Sequence, residues 1–365
     1  MTPVYLASAQ MYSALGADLQ SAAAACSEGR LPTPEWFMLR EFNQQRPYLR
    51  AVGAGVPLRQ RLGTMIAEHD DGRLSDCLLI LASTTLDISG IECRVAAGET
   101  LGNDIAPALD TLADELRGAW GFASAFTLNT ACTSAANGLL YAARLVAENR
   151  YRRALVLAFE SPSEVTRQGF AVLELTSASG SYRPFHPERD GLILGEAYAA
   201  VMLSREPGQA PLGRLLGGFS ACDTSSLTST LEDGSHIDWV IRRALQDAEL
   251  TPAQIGVAKL HGTATQANDR AESNGMRRTF GEALLPMCVL KPYLGHTLGA
   301  CGLSETLLML QALRQGPLPA VGYGEHALLP LTAEPLRVPA DSLLLANYFG
   351  FGGNNASLVL QGIAA

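Results

Sequence analysis

Three side chains are of a type, and lie in surroundings, that point to covalent chemistry: Cys132, His261 and His296. Cys132 lies in Phe126-Thr-Leu-Asn-Thr-Ala-Cys132-Thr-Ser-Ala-Ala-Asn-Gly138, followed by the apolar run Leu139-Leu-Tyr-Ala-Ala-Arg-Leu-Val146. The first part has strand character and the second carries Ala and Leu at helical spacing, so the cysteine falls at the seam. A thiol facing the first turn of a helix meets unpaired N–H groups and the positive end of the helix dipole, which favour thiolate over thiol. The expectation is a nucleophile. Small residues at Ser134, Ala135, Ala136 and Gly138 let the helix pack closely, which places the sulfur at the bottom of a pocket. The competing reading is a buried structural cysteine, since free Cys is among the most buried residue types.

Only six histidines occur, and two sit in Gly- and Thr-rich stretches, His261-Gly-Thr-Ala-Thr265 and Gly295-His296-Thr-Leu-Gly-Ala-Cys-Gly302. Each follows a strand-like segment and precedes a helix, so both converge on the ligand-binding end of an open α/β sheet. Singly, each reads as a satisfied structural residue; together with a nucleophile-like Cys they point to catalysis. A metal site built from His261, Asp269 and His296 is the competing chemistry. Its spacings match no standard zinc pattern, and it leaves Cys132 without a role. Gly350-Phe-Gly-Gly353 precedes a strand and lacks the Lys of a phosphate-binding loop, so it reads as backbone that must approach a substrate closely.

The elements that position these residues alternate between strand and helix. Strands are expected at 4–7, 78–85, 126–128, 154–160 and 197–203, with helices at 17–28, 107–118 and after Cys132. Residues 204–211 have linker composition. Beyond them the plan repeats, with strands at 213–221, 256–261, 343–347 and 356–360 and helices at 237–250, 271–280 and 303–314. The chain therefore reads as α/β, with one half at 1–205 carrying the cysteine and a second at 206–365 carrying the histidines.

Composition narrows the class. The 365 residues are 47% hydrophobic and 17% charged, enough for substantial cores. No apolar run is long enough for a bilayer span and no secretory leader precedes residue 4, so the expected location is the cytoplasm. Seven cysteines without a Cys-x-x-Cys pair argue for reduced thiols. A net charge of −9 argues against nucleic acid or anionic lipid as partner. Arg40, Arg46, Arg50, Arg59 and Arg61 face only Glu35 and Glu41 in sequence, which reads either as a basic patch for an acidic partner or as ordinary solvated surface.

Five stretches in register resemble the β-ketoacyl-acyl-carrier-protein synthases, condensing enzymes of fatty acid and polyketide synthesis. They are Thr130-Ala-Cys-Thr-Ser134; Arg183-Pro-Phe with Glu188-Arg-Asp-Gly191 to Gly195-Glu196; His261-Gly-Thr-Ala-Thr265 with Asp269 and Glu272; Lys291 to Gly302 with Glu305; and Asn347 to Asn355. The resemblance implies a thiolase fold, a duplicated αβαβα five-layer architecture with mixed sheets. It implies that Cys132 holds an acyl chain as a thioester and that His261 and His296 support decarboxylative condensation with malonyl-carrier protein. It assigns the oxyanion hole to the backbone N–H groups of Cys132 and Phe351, pantetheine contacts to Thr263 and Thr265, and the acyl pocket to Phe170 and Phe351. Lys291 and Glu305 match a buried ion pair beneath the histidine loop. No metal or organic cofactor is implied, because the phosphopantetheine arm arrives on the acyl carrier protein. A dimer is implied, with an identical or a different ketosynthase-like chain, through residues 126–130.

Departures from the pattern are also visible. Residues 7–16 lack the usual glycines, the stretch 30–75 is short, Ala158 and Phe159 stand where glycines are common, and Tyr348 replaces a small residue, changes expected to reshape the acyl tunnel. Compact synthases of this kind resemble those of aryl-polyene and other specialised pathways. Two alternatives remain open. One is a non-catalytic, chain-length-factor-like partner subunit, against which the retained Cys132, His261 and His296 argue. The other is a thiolase acting on coenzyme A thioesters, which needs a second cysteine that residues 347–355 lack.

Overall fold

The computed structural model describes residues 1–39, 43–102, 111–225, 230–282, 284–321, 327–331 and 334–364. In chain order the elements are β1 (Val4–Ser13), α1 (Leu19–Ser27), β2 (Glu35–Leu39), β3 (Gln44–Leu49), α2 (Leu58–His69), β4 (Cys77–Ala82), α3 (Ile88–Ala96) and α4 (Leu112–Trp120). There follow β5 (Ser124–Leu128), α5 (Ser134–Ala147), β6 (Arg153–Glu160), α6 (Glu164–Val172), β7 (Leu194–Gly195), β8 (Ala197–Ser204), β9 (Gly213–Cys222) and α7 (Ser235–Asp247). The last are β10 (Val257–Lys259), α8 (Gln266–Phe280), β11 (Met287–Cys288), α9 (Lys291–Leu294), α10 (Cys301–Gln315), β12 (Leu343–Phe349) and β13 (Asn354–Gly362). The helix expected at 107–118 is found at Leu112–Trp120; residues 107–110 lie outside the described residues.

Ten strands form one sheet in the order β11-β10-β12-β13-β9-β1-β8-β6-β4-β5. Outward from the β1–β9 contact, one flank reads β1, β8, β6, β4, β5 and the other β9, β13, β12, β10, β11. Each flank thus runs first, fifth, fourth, second, third in chain order, with two antiparallel pairings followed by two parallel ones on both sides. The duplication, invisible as a sequence repeat, is plain in strand order.

Both faces of each flank are covered, which is why the inner strands are apolar throughout. On β4 the alternate residues Leu78, Ile80 and Ala82 face one core, and Cys77, Leu79 and Leu81 face another. On β12, Leu344, Ala346 and Tyr348 face that same first core while Leu345 and Phe349 face a third. The shared core holds α5 and α10, which pack on each other and on both flanks. Outside lie α2 and α4 on one side and α7 and α8 on the other. The result is five layers, helix, sheet, helix, sheet, helix. Contact in the middle layer is close enough that a Cβ on Gly302 of α10 would fall 2.2 Å from the Ala136 nitrogen of α5.

Of the two readings of the arginines in 31–61, the described ones favour ordinary paired surface, and one expectation, for Tyr348, changes. Arg59 pairs with Asp87 and Glu115, Arg50 with Glu35 and Glu196, and Arg61 is buried between the rings of Tyr12 and Tyr198. Arg40 and Glu41 lie outside the described residues. Tyr348, expected at the acyl tunnel, instead points into the middle layer, fully buried, with its hydroxyl 2.7 Å from Thr306 Oγ1.

Candidate active site

The parallel strands of both flanks end at the site: Cys132, His261 and Phe351 lie in the loops after β5, β10 and β12, and His296 follows the short helix α9 after β11. After β5 the chain turns sharply through Ala131, whose φ of 52° is left-handed. Such a conformation costs a non-glycine residue free energy and persists only where neighbours enforce it. Here they do: Thr133 N and Ser134 N donate to the carbonyls of Thr130 and Ala131, and Ser134 Oγ accepts from Thr130 N at 2.9 Å. From the other half, Asn354 Oδ1 accepts from Thr133 Oγ1 at 2.5 Å and Asn137 Nδ2 at 3.0 Å.

Cys132 emerges from this turn buried. Its state differs from the expectation of a helix-stabilised thiolate. Burial pushes the thiol up to about 12, opposed by the Lys291 ammonium and by the backbone N–H groups of Phe351 and of Cys132 itself. The first helical N–H groups are already taken by the carbonyls of Thr130 and Ala131. The resting sulfur is therefore a thiol. Alkylation of Cys132 by iodoacetamide should rise about tenfold per pH unit from pH 6 to 9 without levelling, as thiolate population follows pH below the pKa; a plateau below pH 8 would show a preformed thiolate.

The Phe351 loop comes close to Cys132 because the loop between β12 and β13 is nearly all glycine. Gly352 and Gly353 have φ of 80° and 79°. A Cβ on Gly353 would fall 1.9 Å from the Asp223 oxygen, and one on Gly350 would crowd Cys132 N at 3.3 Å. The close approach expected of this loop is thus made to the nucleophile's own backbone.

His261 follows β10. Two carboxylates of α8 hold its loop: Glu272 accepts from His261 N at 2.7 Å and Gly262 N at 2.9 Å, and Asp269 accepts from Thr263 N at 3.1 Å and Phe185 N at 2.6 Å. Burial pushes Asp269 up to about 6 and Glu272 up to about 7. Asp269 spends its oxygens on backbone N–H groups, so the metal set His261, Asp269 and His296 is not assembled, and the described residues contain no other cluster of that kind.

Beneath His261, Lys291 Nζ lies 3.2 Å from Nδ1 and 2.7 Å from Glu305 Oε1. Glu305 holds Lys291 as an ammonium, its pKa raised despite burial. An ammonium only donates, so Nδ1 accepts and the proton of the neutral ring sits on Nε2. Both imidazoles are held well below the usual histidine range, by burial first and then by Lys291.

His296 is fixed through its backbone: its N–H donates to the Ile193 carbonyl at 2.7 Å and its carbonyl accepts from Gly195 N at 3.0 Å. The chains pass so closely that a Cβ on Gly195 would lie 2.3 Å from the Leu294 oxygen. The two imidazole rings stand edge to face, 5.5 Å apart between centroids.

Cys132, His261 and His296 line one cavity of ≈ 400 Å³, together with Thr263, Thr265, Phe170 and Phe351. A second, more apolar cavity of ≈ 390 Å³ is also lined by Cys132, Phe170 and Phe351. The two phenylalanine rings are stacked at 5.7 Å and 13° and form a wall common to both spaces. Every candidate residue is therefore brought to the site, Lys291 and Glu305 as its floor. Three further groups carry no motif of their own. Glu160 accepts from Thr84 N, Thr85 N and Gly299 N, tying the loop after β4 to the His296 loop. Lys259 shares Glu305 with Lys291, and Tyr348 lies against Lys259. A lysine in the apolar run Val257-Ala-Lys-Leu260 and a glutamate closing β6 are the signals by which a sequence could show them.

Comparison with known proteins agrees with this geometry. Residues 119–208 match the beta-ketoacyl synthase N-terminal domain and residues 212–322 the C-terminal domain. The chain belongs to the β-ketoacyl synthase family, and its five layers are the thiolase fold. Among curated relatives, the 3-oxoacyl-[acyl-carrier-protein] synthase 2 of Rhizobium meliloti is 26% identical over 369 residues, covering 92% of this chain and 85% of the relative. The protein of the same name from Vibrio cholerae is 29% identical over 256 residues, a match spanning 64% of this chain and 61% of the relative. Among solved structures, the ishigamide ketosynthase/chain length factor aligns over 100% of both chains with a TM-score of 0.83 and 25% identity.

Proposed function

We propose that this chain is a β-ketoacyl-acyl-carrier-protein synthase, an acyltransferase of fatty acid or polyketide synthesis, with Cys132, His261 and His296 as its catalytic residues. Cys132 sulfur attacks the thioester carbonyl of an acyl group on a carrier protein's phosphopantetheine arm, and its proton leaves with the pantetheine thiol. Malonyl-carrier protein then loses carbon dioxide, and the enolate carbon attacks the acyl-Cys132 carbonyl. A C–C bond forms, the C–S bond breaks with its electron pair on sulfur, which takes a proton from solvent to return to the thiol, and the chain is longer by two carbons. The N–H groups of Cys132 and Phe351 hold the oxyanion at the sulfur-bound carbon, a contribution of about 10²–10³ per donor. Nε2–H of His261, with His296 beside it, stabilises the enolate oxygen. Thr263 and Thr265 contact pantetheine, and Phe170 and Phe351 border the acyl chain.

The reading is carried by one observation: a buried cysteine and two imidazoles line one cavity together with Phe351, with Lys291 hydrogen-bonded beneath one of the imidazoles. No further cofactor is called for, since the pantetheine arm comes with the substrate. The halves divide at 205/206, and the chain works in the cytoplasm as a dimer with itself or with a second ketosynthase-like chain. The described residues include no helix long and apolar enough to cross a membrane. A chain-length-factor-like role is the second reading, since a ketosynthase/chain length factor is among the structures sharing the fold; the retained Cys132, His261 and His296 oppose it. Intact mass spectrometry with peptide mapping decides. The expected result is one acyl mass on Cys132 after incubation with acyl-carrier protein, discharged as product when malonyl-carrier protein is added. No acylation of the chain alone, with support of a partner's activity, would establish the subunit role instead.

A further inference from the structure

Beneath His261 lie two buried lysines and a single carboxylate. Lys259 Nζ donates to Glu305 Oε2 at 2.6 Å, and Lys291 Nζ donates to Oε1 at 2.7 Å. All three side chains are fully buried. Lys259 is itself held: its Nζ lies 3.6 Å from the centroid of the Tyr348 ring, a cation–π contact, and the Tyr348 hydroxyl is tied to Thr306 one residue beyond Glu305. The carboxylate is thereby gripped at both oxygens, and its orientation fixes where Lys291 points.

We propose that Lys259 is a positioning residue for condensation: by holding Glu305, it keeps Lys291 donating to Nδ1 of His261, so that the imidazole presents Nε2–H to the cavity. The proposal rests on the ketosynthase reading of the site. Without Lys259, one Glu305 oxygen loses its partner, and the carboxylate is free to turn toward Lys291 with both oxygens. Lys291 would then leave Nδ1, and the ring could take its other tautomer. Among the described residues, no other side chain is hydrogen-bonded to Nδ1.

Charge acts in the same direction. The groups that act on His261 are Lys291, His296 and Lys259, with Glu305 bound to both lysines, Glu272 on its backbone N–H and Cys132 across the cavity. Lys259 is one of the cations that hold the ring neutral. Removing it lets His261 take up a proton at higher pH, and a protonated ring cannot accept from Lys291.

The test uses Lys259→Met and Lys259→Leu, neutral variants with no donor for Glu305, and Lys259→Arg as the conservative one. The ¹⁵N signals of histidine-labelled protein, with His261 identified by its loss in His261→Ala, report the tautomer directly. Wild type is expected to show the Nε2–H form, and the neutral variants a mixture. Condensation kcat should fall by about 10²-fold, the cost of a misplaced reacting group, with KM for malonyl-carrier protein held and the acid limb of the kcat profile moved to higher pH. Lys259→Arg should restore the tautomer and most of kcat. An unchanged tautomer and acid limb in the neutral variant that folds would overturn the proposal, whatever happens to kcat. If wild type neither acylates nor condenses, the ketosynthase reading falls, and the tautomer comparison still decides the role of Lys259.

Discussion

Cys132→Ala and His261→Ala are expected to fail at different steps. The first removes the sulfur proposed to carry the acyl group, so it should gain no mass from acyl-carrier protein and form no β-ketoacyl product. The second leaves the sulfur and the proposed oxyanion donors in place, so single-turnover acylation should persist. Condensation in His261→Ala should drop by about 10²–10⁴-fold, the range for a positioned proton-bearing group acting in the transition state. Quenched-flow mass spectrometry separates the two, since the His261 variant should accumulate acyl-enzyme. Equal loss of acylation in both variants would show that the imidazole serves the first step as well, and sulfur and imidazole would then share one step instead of dividing two.

Glu305→Ala is expected to be the more damaging change to the fold. It leaves the ammonium groups of Lys259 and Lys291 buried with no countercharge, and removing one partner from a buried ion cluster typically costs about 3–5 kcal/mol. Burial already lowers the Lys259 pKa, with Glu305 the main opposing influence. Without that carboxylate a proton should be shed, so the loss of stability should shrink as pH rises and a neutral lysine becomes available. Denaturant unfolding at pH 7 and pH 9 measures both effects. A Glu305→Ala chain as stable as wild type would mean that the cluster is solvated.

The motif loops were legible because their geometry demands particular residue types. Glycine at 352 and 353 is favoured by positive φ, and at 353 also by close backbone passage, and the residues around Cys132 announce a strand-to-helix turn. The state of the sulfur was not legible. Helix position is a local property and can be read from neighbours, whereas desolvation depends on β12, α9 and α10, which arrive from the other half of the chain. The partners of Arg59 and Arg61, and Glu196 beside Arg50, lie in the same half but on elements remote in sequence, and the direction of Tyr348 is set by the pleat of β12. The start of α8 at Gln266, five residues before the expected 271, was missed because Gln266, Asn268 and Asp269 resemble loop, yet Asp269 is placed by that helix to hold the His261 turn.

The repeated strand order carries one more consequence. Cys132 leaves the third strand of its flank, and His296 follows the third strand of the other, while His261 follows a second strand whose counterpart leads to Ser83 and Thr85. Equivalent exits of one architectural plan have thus been given unlike duties. On the proposed roles, either copy of the plan by itself would possess an electrophile's attacker without its proton-bearing companions, or those companions with nothing to assist, so the proposed reactivity is a property of the pairing alone.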